Sequence, residues 1–210
     1  PEVGIENRWS ATDPIRLVHV LEHTAGFDDI HLRDYVASDH TISLLGGITY
    51  NTTSRRARWR PGTRMSYSNI GPAIGGYVVE KVTDETFEAF VAREIFQVLG
   101  MTSATFHYDD RIAASYQADG ETREPYVHIF QRPSGSLAAN AADMARLLGM
   151  FIQRGGAGEG RLISESSLAR MERAETTLAA PRLALGYGLG NASFDGEGFV
   201  YQGHNGGIDG

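Results

Sequence analysis

The chain has no cysteine and, among 210 residues, a single lysine, Lys81. Without cysteine there is no disulfide framework, no thiolate nucleophile and no thiolate metal site. No apolar run approaches the ~20 residues that a bilayer-spanning helix requires, and no signal peptide is visible. Positive charge is also scarce. The formal net charge is -7, whereas partners of a phosphate backbone gather basic residues, so nucleic acid is excluded as a partner. The one basic cluster, Arg55, Arg56, Arg58, Arg60 and Arg64, reads as a solvated loop. No internal repeat is present, and the glycine-rich patch at 155–160 reads as a flexible loop. These features suit an exported and a cytoplasmic protein equally.

What is present can bury a core: 41% of the residues are hydrophobic, in a length typical of one domain. The periodicity is mostly helical. Asp13 can cap a helix with Pro14 at its first position, running through Ile15, Val18 and Leu21 or Glu22 to a stop at Gly26. A loop from Phe27 to Arg64 follows. Pro61-Gly62 then marks a turn, after which Ile70, Ala73, Ile74, Tyr77 and Val78 recur at helical spacing to about Val82. Asp84 is expected to start another helix, with Phe87, Phe90, Val91 and Phe96 on its apolar side and Gly100 at its end. Asn140 and Asp143 read as a capping pair for a helix through Ile152, and a shorter helix follows Ser164. Tyr187 to Phe194 and Phe199 to His204 flank Asp195-Gly196, a hairpin signal.

The stretch Pro61-Gly62-Thr63-Arg64-Met65-Ser66-Tyr67-Ser68-Asn69 places a tyrosine and an asparagine two residues apart where a turn enters a helix. It resembles the Tyr-x-Asn box of the serine β-lactamase and penicillin-binding-protein superfamily, especially its class C-like branch of esterases, D-amino-acid peptidases and β-lactamases. Further landmarks follow in that family's order. Residues Val18 to Gly26 are similar to "LLxHTSG", Phe96 to Ser103 to "IFxPLGMTST", and Pro133 to Leu137 with Ala142 to Arg146 to "PAGGLxSTAxDLAR". Gly203-His204-Asn205-Gly206-Gly207 is similar to the "GHxGG" version of the Lys-Thr-Gly box. Together they cover roughly Asp13 to Gly210.

One landmark is missing. The family's nucleophile is the serine of a Ser-x-x-Lys box, whose lysine takes the hydroxyl proton. Here the residue three before Lys81 is Val78. The resemblance places that box upstream of the "HTSG" helix end, and Pro1-Glu2-Val3 resembles the segment that follows the nucleophile helix. The expectation is a single β-lactamase-related domain over 1–210, incomplete at both ends, with a helical region at about 13–180 and an active-site hairpin at about 186–207. Its fold class is mixed α and β: a helical region beside an antiparallel sheet, of which the chain holds part. As given, the chain is expected to be inactive.

The resemblance also implies roles. Tyr67 would be the general base and acid, and Asn69 would donate to the substrate and hold the lysine. Gly207 would supply an oxyanion N–H, with Asn205 and Gly206 forming the adjoining cleft edge. His204 stands where β-lactamases carry lysine. Lysine is charged at neutral pH and an unperturbed imidazole mostly is not, which turns the expectation from a dedicated β-lactamase towards an esterase or D-peptidase. Tyr116, Tyr126 and His128, with Phe130, lie in the segment that would line the substrate pocket. No cofactor or metal is called for, the partner is a small-molecule or peptide substrate, and the oligomeric state is open. Two alternatives stand beside this: a non-catalytic homologue used for binding or assembly, and a zinc peptidase using His19, Glu22 and His23 in a His-x-x-Glu-His pattern.

Overall fold

A computed structural model describes residues 1–29, 41–177 and 186–207. The organising element is α3, Ile70–Thr83, against which α1 (Leu17–Leu21) and α2 (Leu44–Tyr50) both pack. Val20, Phe27, Leu44, Ile48, Ile70, Ala73, Ile74 and Tyr77 form the core between them. Each fully buried side chain of this size contributes roughly 1.5–3 kcal/mol. At Gly71 a Cβ would lie 2.2 Å from the Val20 carbonyl oxygen. Glycine there lets the C-terminal end of α1 press against the first turn of α3, which decides what stands beside Tyr67.

The first helix is shorter than expected. Asp13 is not its cap, because its carboxylate pairs with Arg60 at 2.8 Å and accepts from the Thr12 hydroxyl at 2.7 Å. Arg16 occupies the cap position, and His19 Nδ1 accepts from the Arg16 N–H. The helix stops at Leu21, with His23 at φ 55°. The expected loop from Phe27 to Arg64 contains α2, capped by Ser43, whose hydroxyl accepts from Gly46 N–H. Two glycines inside it weakened its signal. The part of that loop at 30–40 lies outside the described residues. Arg55 is not solvated: it is buried and donates to the carbonyls of Val3, Ile48 and Asn51, while Arg56, Arg58 and Arg60 pair with Glu6, Asp28 and Asp13.

Beyond α3, Asp84 ends a helix instead of starting one, in the left-handed region at φ 57°. Thr86 caps α4, Phe87–Val91, which continues through a π-helical turn, Ala92–Phe96, into α5, Gln97–Leu99, closed by Gly100. A second core of Val91, Phe96 and Met101 forms there, and Phe87 packs against both cores. Then come the short ladder β1 (Ser115–Tyr116) with β2 (Arg123–Glu124) and a 3-10 turn, Arg132–Ser134. Asn140 caps α6, Ala141–Ile152, by accepting from Asp143 N–H, as expected. The Asp143 carboxylate instead takes the Ser103 N–H and hydroxyl. The glycine patch at 155–160 is a small hairpin, β3 (Gly156–Ala157) with β4 (Gly160–Arg161). Ser164 caps α7, Glu165–Met171.

The last hairpin pairs β5, Ala192–Gly196, with β6, Phe199–Gly203, so that Phe194 faces Tyr201. Its turn is Glu197-Gly198 and not Asp195-Gly196. Both turn residues have positive φ, 51° and 82°, as the twist of a two-residue hairpin requires. Among the described residues the ladders are all antiparallel and two-stranded, and no helix is long and apolar enough to cross a membrane.

Candidate active site

Tyr67 and Asn69 arrive together because the chain enters α3 there. Asn69 holds the cap position, but its side chain makes no cap bond. Its Nδ2 donates to Asp29 Oδ1 at 3.0 Å, and its backbone N–H donates to the same oxygen at 2.8 Å. Its Oδ1 accepts from the Tyr67 hydroxyl at 3.1 Å. The Ser134 hydroxyl donates to its carbonyl. Asn69 is thereby held on every polar atom.

The end of β6 brings His204 to the same place, 137 residues further along, with Nε2 at 3.5 Å from the Tyr67 hydroxyl. His204 Nδ1 lies 2.5 Å from the Asn205 carbonyl oxygen. That nitrogen must carry a proton, since a carbonyl only accepts, which turns Nε2 towards the phenol. Asn205, Gly206 and Gly207 follow as an exposed segment, and among the described residues a Cβ on either glycine would meet nothing within 4 Å. Backbone N–H groups there have an open approach for a ligand.

Two further rings complete the cluster: Tyr187 was not singled out as a site residue from the sequence, and His23 only as a ligand in the zinc alternative. His23 lies beneath Tyr67 at 4.3 Å between centroids, and Tyr187 meets His23 edge-on at 4.4 Å. Tyr187 also stands 5.7 Å from His204. His23 is buried, and its Nδ1 accepts the Ser68 N–H at 3.1 Å. Burial, reinforced by the nearby His204, lowers its pKa from 6.5 to about 4, so it stays neutral with Nε2 protonated. Burial pushes the Tyr187 phenol well above its ordinary value, with Tyr67 adding to the effect. His23 does fall inside the "HTSG"-like motif, which was its signal for this place. Tyr187 carried none, and at neighbouring Gly188 a Cβ would lie 2.0 Å from the Met171 carbonyl oxygen. The segment before β5 thus seats directly on the end of α7.

Tyr126 and His128 sit in an aromatic group of their own with Tyr108, at 4.9 Å and 6.1 Å from it. Tyr108 and Tyr126, with Arg123, Glu124 and Pro125, border a cavity of about 360 Å³. Burial raises the Tyr126 phenol. Tyr116 is exposed on β1, and Phe130 is buried against Tyr50.

The His19, Glu22, His23 pattern loses its helical premise. Because α1 ends at Leu21, His23 does not share a helix face with His19. The buried Glu22 carboxylate is engaged by Arg170 at 2.5 Å, by the backbone N–H of Glu175 and Thr176, and by the Thr176 hydroxyl. Among the described residues no three His, Asp or Glu side chains gather as a metal site.

A tyrosine and an asparagine at a helix entrance stand beside a His-x-Gly-Gly segment that follows β6. The chain belongs to the Beta-lactamase family, whose pattern matches residues 5–209. It is 23% identical over 183 residues to an Escherichia coli protein described as "Putative D-alanyl-D-alanine carboxypeptidase", covering 73% of this chain and 42% of that protein. Among solved structures it resembles the D-amino acid amidase of Ochrobactrum anthropi complexed with L-phenylalanine, at TM-score 0.72 and 19% identity over 100% of this chain and 63% of that one. It also resembles the octameric penicillin-binding protein homologue of Pyrococcus abyssi, at TM-score 0.67 and 21% identity over 97% of this chain and 51% of that one. These likenesses establish a β-lactamase/transpeptidase fold. The chain spans about 42% of the length of the Escherichia coli relative.

Proposed function

We propose that the protein is a serine hydrolase working through an acyl-enzyme on an ester or on an amide or peptide of a D-amino acid, in preference to a dedicated β-lactamase. The observation that carries this is the convergence of Tyr67, Asn69 and His204, with the phenol 3.1 Å from the amide oxygen and 3.5 Å from the imidazole. In this reading a serine of the full-length protein attacks the carbonyl while Tyr67 takes the serine proton and gives its own to His204 Nε2; Tyr67 then protonates the leaving group and recovers its proton from His204. Asn69 and the Gly207 N–H face the substrate, Gly207 as an oxyanion donor. The imidazole of His204, its Nδ1–H held by Asn205, can exchange a proton with Tyr67. That the comparisons include a D-alanyl-D-alanine carboxypeptidase description and a D-amino acid amidase supports the choice of substrate class.

The test is covalent capture followed by turnover. The full-length protein should form a one-to-one adduct with a fluorophosphonate by intact mass, and residues 1–210 alone should form none. Tyr67→Phe keeps the ring but removes the hydroxyl, so turnover of a short ester should fall by ~100-fold or more with thermal stability nearly unchanged. A full-length protein that neither labels nor hydrolyses would return the chain to the binding-homologue alternative.

A further inference from the structure

The roles of Tyr67 and Asn69 leave unexplained why Asn69 presents its oxygen, and not its nitrogen, to the phenol. An asparagine side chain has one face of each kind, and the two differ chemically in what they can meet. Against a carboxylate only the NH₂ is tolerated, since an amide oxygen there would face a like partial charge. Asp29 supplies that carboxylate: one oxygen accepts both the backbone N–H and the Nδ2–H of Asn69. It therefore dictates the orientation of the amide.

Asp29 is itself placed through its neighbour Asp28. Its N–H donates to Asp28 Oδ1 at 3.0 Å, Asp28 pairs with Arg58 at 3.0 Å, and the Ser68 hydroxyl donates to the Asp28 carbonyl at 2.6 Å. The carboxylate also stands at the N-terminal end of the 14-residue α3, where negative charge is favourable. Its bonds can be followed outwards in one direction, Asn69 Nδ2–H to Asp29 and Tyr67 O–H to Asn69 Oδ1, and the Tyr67 oxygen so held stands 3.5 Å from His204 Nε2.

We propose that Asp29 is a positioning residue for catalysis, which orients the Asn69 amide so that its oxygen holds the Tyr67 O–H and fixes the phenol oxygen beside His204. This rests on the serine-hydrolase reading above. Asp29 touches no substrate. It sets the direction in which the phenol proton points, so its loss should reduce turnover and leave ground-state binding largely intact.

The experiment compares Asp29→Ala and Asp29→Asn in the full-length protein, with p-nitrophenyl acetate as the probe. Asp29→Ala should lower kcat by roughly 10- to 100-fold with KM little changed, the loss expected when a reacting group is misplaced. Asp29→Asn can still accept both Asn69 hydrogens, so it should recover a good part of kcat. In an Asn69→Ala background, Asp29→Ala should lower kcat far less than in the wild type, because the side-chain amide that links it to the phenol is gone while its contact with the residue 69 N–H remains. Equal additional loss in that background, or a folded Asp29→Ala with wild-type kcat, overturns the proposal. If Asp29→Ala does not fold, Asp29→Leu, which fills the carboxylate's volume but accepts no hydrogen bond, takes its place, and a wild-type kcat in that variant overturns the proposal. The Asn69 side-chain amide resonances give a readout independent of activity. They should shift in Asp29→Asn, and unchanged resonances refute the contact even if the wild type proves to be no hydrolase.

Discussion

Replacing His23 by asparagine separates the packing of this residue from its titration. The substitution suits the backbone, since His23 has φ 55° and asparagine tolerates the left-handed region. Its Oδ1 can take over the acceptor role of Nδ1 towards the Ser68 N–H. What it removes is a group whose pKa falls from 6.5 to about 4 on burial. Between those values the unfolded chain binds more protons here than the folded one, so stability rises with pH across the window. The contribution is complete above pH 6.5 and is lost as pH falls towards 4. At about 1.4 kcal/mol per tenfold, moving from roughly pH 7.5 to 4.5 should withdraw on the order of 2–3 kcal/mol through this residue. Burial supplies most of the shift, the nearby His204 adds to it, and Asp29 opposes it. The assay is urea unfolding of both proteins at the two pH values. The wild-type midpoint should drop by about 1 M more than the variant's, given a typical slope for this size. Parallel losses in the two proteins would mean that His23 is already protonated or exposed, and the neutral wedge beneath Tyr67 would have to be abandoned.

Glu22→Ala should destabilise the protein by about 3–5 kcal/mol, because it removes the buried carboxylate that pairs with Arg170 and leaves two backbone N–H groups without their acceptor, although Arg170 keeps Glu175. A chelator should leave ester turnover intact, and metal-dependent turnover lost on His19→Ala would revive the zinc alternative. Gly71→Ala should cost about 1–3 kcal/mol by chemical denaturation, since its Cβ would collide with the Val20 carbonyl. It should also push His23 away from Tyr67 and lower kcat, and a neutral outcome would disprove the close helix approach. His204→Lys should improve KM for a penicillin several-fold and leave a neutral ester unchanged, and no gain would indicate that position 204 does not meet the substrate carboxylate.

Local chemistry was legible in the sequence wherever a structural decision depended on neighbours in the chain. The entrance to α3 at Tyr67 and Asn69, the caps Asn140 and Ser164, the Gly100 stop and the presence of the last hairpin, though not the position of its turn, follow from turn residues and short-range periodicity. The family follows from boxes whose order survives in the chain. Errors arose where a polar residue had a distant competitor. Asp13 reads as a cap until Arg60 claims its carboxylate, and Arg55 reads as solvated until three carbonyls bury it. Only the tertiary structure could place His204 against Tyr67, lay His23 beneath it, bring Tyr187 to their edge and set Asp29 behind Asn69. Periodicity specifies which face of an element is buried. Which groups then meet is decided by close packing across elements far apart in sequence, and the Gly71 contact with Val20 is the point at which that packing shapes the site.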